Sequence, residues 1–274
     1  MRAEVRQKAI IDCFEQREVM SYHELAKMFQ TSSMTIRRDV EELCRQGLAA
    51  KTIGGVRQLD RSSILSESPL ASRLATQKTE KRAIARRCIE LIEPGQTIYL
   101  DGGTSSIELA RQVAAQCKNI TIVTNSALIC MELGRSRQNT IIGMGGQFEP
   151  SNLCFVGPTT EDFARRYFVD AAFFSTKGIL PEEGIFESFE PTYRIKQIVS
   201  QQCHRVVVMA DHTKFGERAL CKVLDISRIN TVVTDEKTPL DQRDALQQSG
   251  RQVLVAPLAV SEHQLITEGG NNAS

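Results

Sequence analysis

The chain has 274 residues, more than the roughly 100–200 of a typical domain, and 41% of them are hydrophobic, so two folded units with buried cores are expected. Its 34 Lys and Arg nearly balance 33 Asp and Glu, a net charge of +1 that neither demands nor excludes a nucleic-acid partner; any such case rests on where the charges sit. No apolar run approaches the roughly 18–20 residues needed to span a bilayer, and no apolar segment follows the first residues as a signal peptide would, which excludes a membrane partner and predicts a cytoplasmic location. The eight cysteines stand at least thirteen residues apart and the four histidines are scattered, so no metal site and no cofactor is expected, only reduced thiols packed as small hydrophobes.

Residues 1–58 hold ten Lys and Arg against eight Asp and Glu. Val5, Ala9, Ile10, Cys13 and Phe14 recur at helical spacing and predict a first amphipathic helix ending near Gln16. Ser21-Tyr-His-Glu24 has the form of a capping box and opens a short second helix with Tyr22, Leu25, Ala26 and Phe29 on its apolar face. The polar break Gln30-Thr-Ser-Ser33 offers N-caps for a third helix from about Ser33 to Gln46. At about 100° per residue, Val40, Leu43 and Gly47 fall within about 40° of Ile36 and form the buried stripe. Ser33, Met34, Thr35, Arg37, Arg38 and Arg45 lie off that stripe. A short capped helix, a tight turn and a helix with hydroxyls and arginines near its start together predict a helix-turn-helix, whose second helix presents its first turns to base edges and phosphates. The plainer alternative is a solvated basic face offset by Asp39, Glu41 and Glu42. Gly54-Gly55 between β-prone residues predicts a hairpin, a wing flanked by Lys51 and Arg57 that would reach the phosphate backbone of double-stranded DNA.

Residues 59–79 follow as a linker; the stretch 58–79 is serine-rich, with five serines and Pro69, and shows no sustained period beyond a possible short extended or helical piece. From residue 80 to 258, β-branched runs at 97–100, 120–123, 140–144, 171–175, 206–209, 231–234 and 253–255 alternate with helical stretches such as 81–93, 105–115 and 194–203. That alternation predicts an α/β domain with a mostly parallel sheet. The tail 259–274 is expected to be disordered.

Polar clusters follow several of these strands: Asp101-Gly102-Gly103-Thr104-Ser105, Thr124-Asn125, Gly145-Gly146, Lys177-Gly178, and Asp211 with Lys214. Ligands of open α/β sheets bind at the carboxyl ends of strands. Glycines that let backbone approach, hydroxyls at a helix start and nearby lysines suit a phosphate there, although the spacing is not that of a Walker A loop. Taken singly, each cluster is an ordinary strand-to-helix turn; together they predict a pocket for a phosphorylated sugar.

Thr35-Ile-Arg-Arg-Asp39 with Leu43, Gly47-Leu48 and Gly54-Gly55-Val56 resembles the DNA-binding signature of the DeoR family of bacterial regulators. The wing departs from the family's Arg-x-His-Gly-Gly-Ala, reading Lys51-Thr-Ile-Gly-Gly-Val56. The resemblance continues through Leu100-Asp-Gly-Gly-Thr104, Val123-Thr-Asn-Ser126, Gly145-Gly146, Lys177-Gly178, Lys196, Ala210-Asp211 with Lys214-Phe-Gly216, and Thr234-Asp235. It implies a sensor domain folded like ribose-phosphate isomerases, with Lys196 among its site residues; the chain departs from the family before Lys196, where acidic residues are expected closer on the N-terminal side but the run is Glu190-Pro-Thr-Tyr-Arg-Ile.

Three readings follow. The first is a repressor of a carbohydrate operon, a homodimer or homotetramer on operator DNA, modulated by a phosphorylated sugar. The second is a sugar-phosphate isomerase with an appended DNA-binding unit, for which Asp101, Asp211 or Glu190 could be the base. The third is a DNA-binding scaffold with a vestigial pocket. The winged helix favours the first, because an isomerase has no use for one.

Overall fold

A computed structural model describes residues 2–14, 17, 19–45, 48–52, 54–58 and 69–258, with backbone alone at 45, 50–52, 57 and 58. Gly47, residues 59–68 of the expected linker and the tail 259–274 lie outside the described residues.

The N-terminal unit comprises α1 (Ala3–Cys13), β1 (Val19–Ser21), α2 (Tyr22–Met28), α3 (Ser33–Arg45), β2 (Ala49–Thr52) and β3 (Gly55–Gln58). Ser21 caps α2 through the reciprocal bonds with Glu24 that the sequence pattern specifies. Ser32 Oγ accepts the Thr35 N–H at 3.1 Å and starts α3. Ile10, Phe14, Leu25, Ile36, Val40, Leu43 and Val56 close the core, as the helical periods require. The face of α1 departs from expectation: Val5 is exposed and Arg6 is buried in its place. Arg6 turns inward because Asp39 of α3 is buried opposite it, and Arg6 Nη2 donates to Asp39 Oδ1 at 3.2 Å.

The wing is a three-stranded antiparallel sheet of order β1-β3-β2, not a bare hairpin. Both glycines of its turn have a physical reason. Gly54 takes φ +77°, and a Cβ on Gly55 would stand 2.3 Å from the Met20 carbonyl oxygen of β1.

Residues 69–79 carry α4 (Leu70–Ala75) and the start of α5 (Lys78–Ile89). A seven-stranded parallel sheet follows, built from β4 (Thr97–Leu100), β5 (Thr121–Thr124), β6 (Thr140–Gly143), β9 (Val169–Ser175), β12 (Cys203–Met209), β14 (Thr231–Asp235) and β15 (Gln252–Ala256). Its order is β15-β14-β12-β9-β4-β5-β6, and each run that the sequence marks as a strand supplies one of the seven. One face packs on α5, α6 (Thr104–Gln116) and α7 (Ala127–Leu133), through Ile84, Ile107, Leu109, Ile129 and Phe173. The other packs on α8 (Pro158–Arg166), α9 (Glu190–Gln201) and α10 (Leu240–Gln248), through Ala164, Ile195, Val199, Leu246, Tyr99 and Phe174. Neighbours such as Phe173 and Phe174 fall on opposite faces because strand side chains alternate. Two small antiparallel sheets complete the unit: β7 (Gln147–Glu149) with β8 (Cys154–Val156), and β10 (Gly178–Leu180), β11 (Gly184–Glu187) and β13 (Cys221–Asp225).

The topology dictates where a ligand fits. β5 and β6 are laid down on one side of β4, whereas β9, β12, β14 and β15 extend from the other. The chain reversal lies between β4 and β9, and a crevice opens at their carboxyl ends.

Candidate functional site

A cavity of about 140 Å³ occupies that crevice. Its floor is a buried polar cluster. Asp101, at the end of β4, accepts the Ser175 N–H at 2.9 Å and the Gly103 N–H at 3.2 Å, and also bonds Ser106 Oγ. Lys196 of α9 is fully buried and points its ammonium into this cluster. Its three protons have three destinations: Asp101 Oδ2 at 2.8 Å, the Ser175 carbonyl at 2.7 Å, and Glu187. Burial pulls the Lys196 ammonium towards neutrality, but the Asp101 and Glu187 carboxylates outweigh it and hold its pKa above the ordinary lysine range.

One wall is the N-terminus of α6. Gly103 is the N-cap and offers no side chain to the first amides, so Thr104 and Ser105 bring a helix start, with the positive end of its dipole, to the cavity lining. Cations converge from four elements: Arg73 of α4, Lys81 of α5, Lys177 after β9 and Lys214 in the 3₁₀ turn His212–Lys214 after β12. With Lys196 they make five formal positive charges, against three negative charges on Asp101, Glu187 and Asp211. The net positive lining favours an anion such as a phosphate. Lys81 has its pKa lowered to about 8 by burial, with Lys214 and Arg73 adding repulsion and Asp211 opposing. Asp211 lines the cavity and binds the Thr213 amide through Oδ1, while its Oδ2 is buried without a hydrogen-bond partner among the described residues.

Of the residues that the sequence singles out, Gly102, Gly103, Thr104, Ser105, Asn125, Lys177, Lys196, Asp211 and Lys214 all line this cavity, and Asp101 stands behind its wall. Asn125 is held by Tyr99, whose hydroxyl donates to Oδ1 at 2.8 Å. Thr124 is a correction: it is fully buried, and its hydroxyl donates to the Leu100 carbonyl at 2.7 Å, tying β5 to β4. Gly145 and Gly146 are a second correction. They follow β6, the edge strand two places from the reversal, and Thr160 of α8 donates to the Gly145 carbonyl at 2.9 Å, closing the loop away from the cavity. Glu190, a candidate base only in the isomerase reading, is an exposed partner of Arg194 at 2.7 Å, one helical turn away.

Thr176, which the sequence groups with Lys177-Gly178 after the fourth strand, also lines the cavity, whereas sequence reasoning misses Glu187, which reaches Lys196 from β11, and Ser175 at the end of β9. It also misses Arg73, Thr76, Gln77 and Lys81, in or next to the stretch read as linker. The available signal is the Pro69 N-cap of α4 followed by apolar Leu70 and Leu74.

In the N-terminal unit, Ser33, Met34, Arg37 and Arg38 are exposed on the first turns of α3 and Thr35 is half-buried. Met34 keeps 64% of its surface exposed, uncommon for so large an apolar side chain. The Arg37 guanidinium stacks 4.9 Å from the Tyr22 ring centroid, which steadies it between α2 and α3. Asp39 faces Arg6 in the interior and so does not offset the exposed arginines. The backbones of Lys51 and Arg57 stand in the wing strands, opposite Val56 and Ala50. Among the described residues no helix is long and apolar enough to cross a membrane, and no group of His, Cys, Asp and Glu could hold a metal ion.

Comparison with known proteins agrees with both halves. Residues 6–62 match the family described as DeoR-like helix-turn-helix domain, and residues 76–236 match the DeoR C terminal sensor domain. The chain is 31% identical to the transcriptional repressor AccR of Agrobacterium fabrum, over 85% of this chain and 90% of that protein. It is 31% identical to the glycerol-3-phosphate regulon repressor of Escherichia coli K12, over 90% and 96% respectively. A putative aga operon transcriptional repressor of Escherichia coli O157:H7 is 27% identical, over 91% and 93%. Among solved structures, ribose 5-phosphate isomerase A from Neisseria gonorrhoeae is similar with a TM-score of 0.38 and 13% identity, over 49% of this chain and 52% of that one.

Proposed function

Because the chain belongs to the DeoR family of transcriptional regulators, we propose that it represses a carbohydrate-metabolism operon and that a phosphorylated sugar or related metabolite sets its affinity for operator DNA. The observation behind the effector class is the cavity: five cations against three carboxylates, beside the uncapped start of α6. A phosphate answers the charge and the helix start, and sugar hydroxyls answer the polar side chains of Asn125 and Asp211. The effector contacts are Gly102, Gly103, Thr104, Ser105, Asn125, Lys177, Asp211 and Lys214, with Asp101 and Lys196 as the scaffold beneath them.

The DNA contacts are Ser33, Met34, Thr35, Arg37 and Arg38 in the major groove, with Lys51 and Arg57 on the flanking backbone. Paired recognition helices read paired half-sites, so the working form is a homodimer or homotetramer in the cytoplasm. Effector and DNA are linked: each alters the other's affinity by the same factor.

The protein acts as a regulator and not as an enzyme. Aldose–ketose isomerisation needs a carboxylate free to take a proton from carbon. The reading rests on the DeoR-like helix-turn-helix and the repressor relatives; of the candidate bases, Asp101 is tied to Lys196, Glu190 pairs with Arg194 on the surface, and Asp211 binds the Thr213 amide and hydroxyl through Oδ1 while its Oδ2 is buried. The test is a gel shift on the DNA upstream of the protein's own operon, repeated with a panel of sugar phosphates. Thr104→Ala combined with Lys214→Ala should bind DNA and ignore the effector; an intact response in that variant removes this cavity from consideration.

A further inference from the structure

The segment from Pro69 to Gln77 borders the cavity, which Arg73, Thr76 and Gln77 line. Lys81 holds it there. This side chain is buried on α5, and its ammonium donates to the Arg73 carbonyl at 2.6 Å and the Thr76 carbonyl at 2.7 Å, at the C-terminal end of α4. A cation on the last carbonyls of a helix both satisfies unpaired acceptors and complements the helix dipole. Arg73 in turn crosses the cavity to bond Asn152. The turn between α4 and α5 passes through Gln77 at φ +50°, a left-handed conformation that persists only while its surroundings hold it.

Among the described residues no carboxylate lies within ion-pair distance of Lys81. Asp211 and Glu108 act on it from farther away, against Lys214 and Arg73. A ligand anion at the start of α6 would supply the nearby negative charge.

We propose that residues 69–77 form a strap which an anion in the cavity tightens, with Lys81 as the positioning residue that passes the ligand's charge to the end of α4. The inference rests on the cavity being the effector site. Its consequence concerns the tether to the DNA-binding unit. Pro69 stands eleven residues after Gln58, the last residue of β3, so the strap is where that tether joins the sensor domain. A pinned strap fixes the exit point and limits the separations that two DNA-binding units can adopt.

Amide hydrogen exchange on the full chain tests this, with inorganic phosphate as the probe and calorimetry to register its binding. The reporters are the Arg73 and Thr76 amides, which bond the Pro69 and Ser72 carbonyls within α4. Phosphate should slow their exchange at least about threefold. In Lys81→Gln they should exchange fast with or without phosphate, and Lys81→Arg should restore the effect. Ala71→Gly with Ala75→Gly loosens α4 at two exposed positions outside the cavity, and the phosphate concentration for half-protection should rise at least about threefold. Phosphate binding with unchanged exchange at residues 73 and 76, or coincident midpoints in the glycine variant, overturns the strap and leaves the effector site standing. No binding of phosphate at all overturns both.

Discussion

The Lys196 ammonium lies 2.8 Å from the Asp101 carboxylate, and neither side chain exposes more than 2% of its surface. Removing one member of such a cluster is far more damaging than never having built it, because the remaining charges stay buried without compensation. Lys196→Met leaves Asp101 and Glu187 facing each other, and should destabilise the sensor domain by about 3–5 kcal/mol. Urea unfolding followed by circular dichroism measures the loss; a midpoint unchanged from wild type contradicts this account of the cavity floor.

Arg37→Ala removes a guanidinium that stacks on Tyr22 and faces outward from α3. Operator affinity should fall by about 1–3 kcal/mol, with effector affinity unchanged. Fluorescence anisotropy on labelled operator, paired with calorimetry on the effector, separates the two.

Asp39→Ala acts on DNA binding indirectly. It strands Arg6, a buried cation whose pKa is raised chiefly by the hydrogen bond to Asp39, even though burial opposes that shift. The N-terminal unit should lose about 3 kcal/mol and melt well before the sensor domain. A differential scan with a single unshifted transition argues against this coupling of α1 to α3.

Lys81 gives the protein a signature in alkaline solution. Its pKa is about 8 in the native chain against 10.5 for an ordinary lysine, so between those values the unfolded chain holds more protons and the Lys81 contribution to stability rises with pH. Effector binding runs the other way. An anion favours the protonated form, so affinity should weaken above about pH 8, at most about tenfold per pH unit for one proton. The groups facing Lys81 are Arg73 from α4, Glu108 from α6, and Asp211 and Lys214 from the end of β12. Calorimetric titrations from pH 7 to 10 check the slope, and Lys81→Gln should flatten it.

Gly103→Ala probes the helix start. An added Cβ would lie 2.3 Å from Ser175 Cβ, so the end of β9 and the start of α6 must separate. The shift should lower stability by about 1–3 kcal/mol and reduce effector affinity at least about tenfold, because the bare amides move with the backbone. Wild-type affinity in a folded Gly103→Ala protein assigns the anion elsewhere.

What the sequence makes legible follows from how local each feature is. Capping at Ser21, the stripe of Ile36, Val40 and Leu43, and the seven β-branched runs are set by neighbours within a few residues, and the fold contains them all. The order of strands and the burial of Arg6 depend on partners far along the chain. Asp39 lies 33 residues from Arg6, and no period in α1 betrays that a charge rather than Val5 belongs inside. Distance also hides the short strand β1, whose pairing with β3 is its main structural signature, whereas Glu187 stands only nine residues before Lys196 and is missed because it lies on a different element, β11. Gly145 and Gly146 mislead for a related reason: a glycine-rich strand end looks alike at the edge of a sheet and at its reversal, and only the strand order tells them apart.

The pairing of β1 with β3 has a practical meaning for anyone redesigning target preference. Met20 and Ser21 fasten the wing to the entry of α2, so wing and recognition helix are registered by the protein itself before any duplex is met. The proposed contacts at positions 33, 34, 37 and 38 are then tips on a fixed handle, with Arg37 also held by Tyr22 of α2. Libraries randomised there should yield new binding sequences without re-optimisation of the scaffold, whereas variation at Gly55 alters the handle and spoils every tip alike.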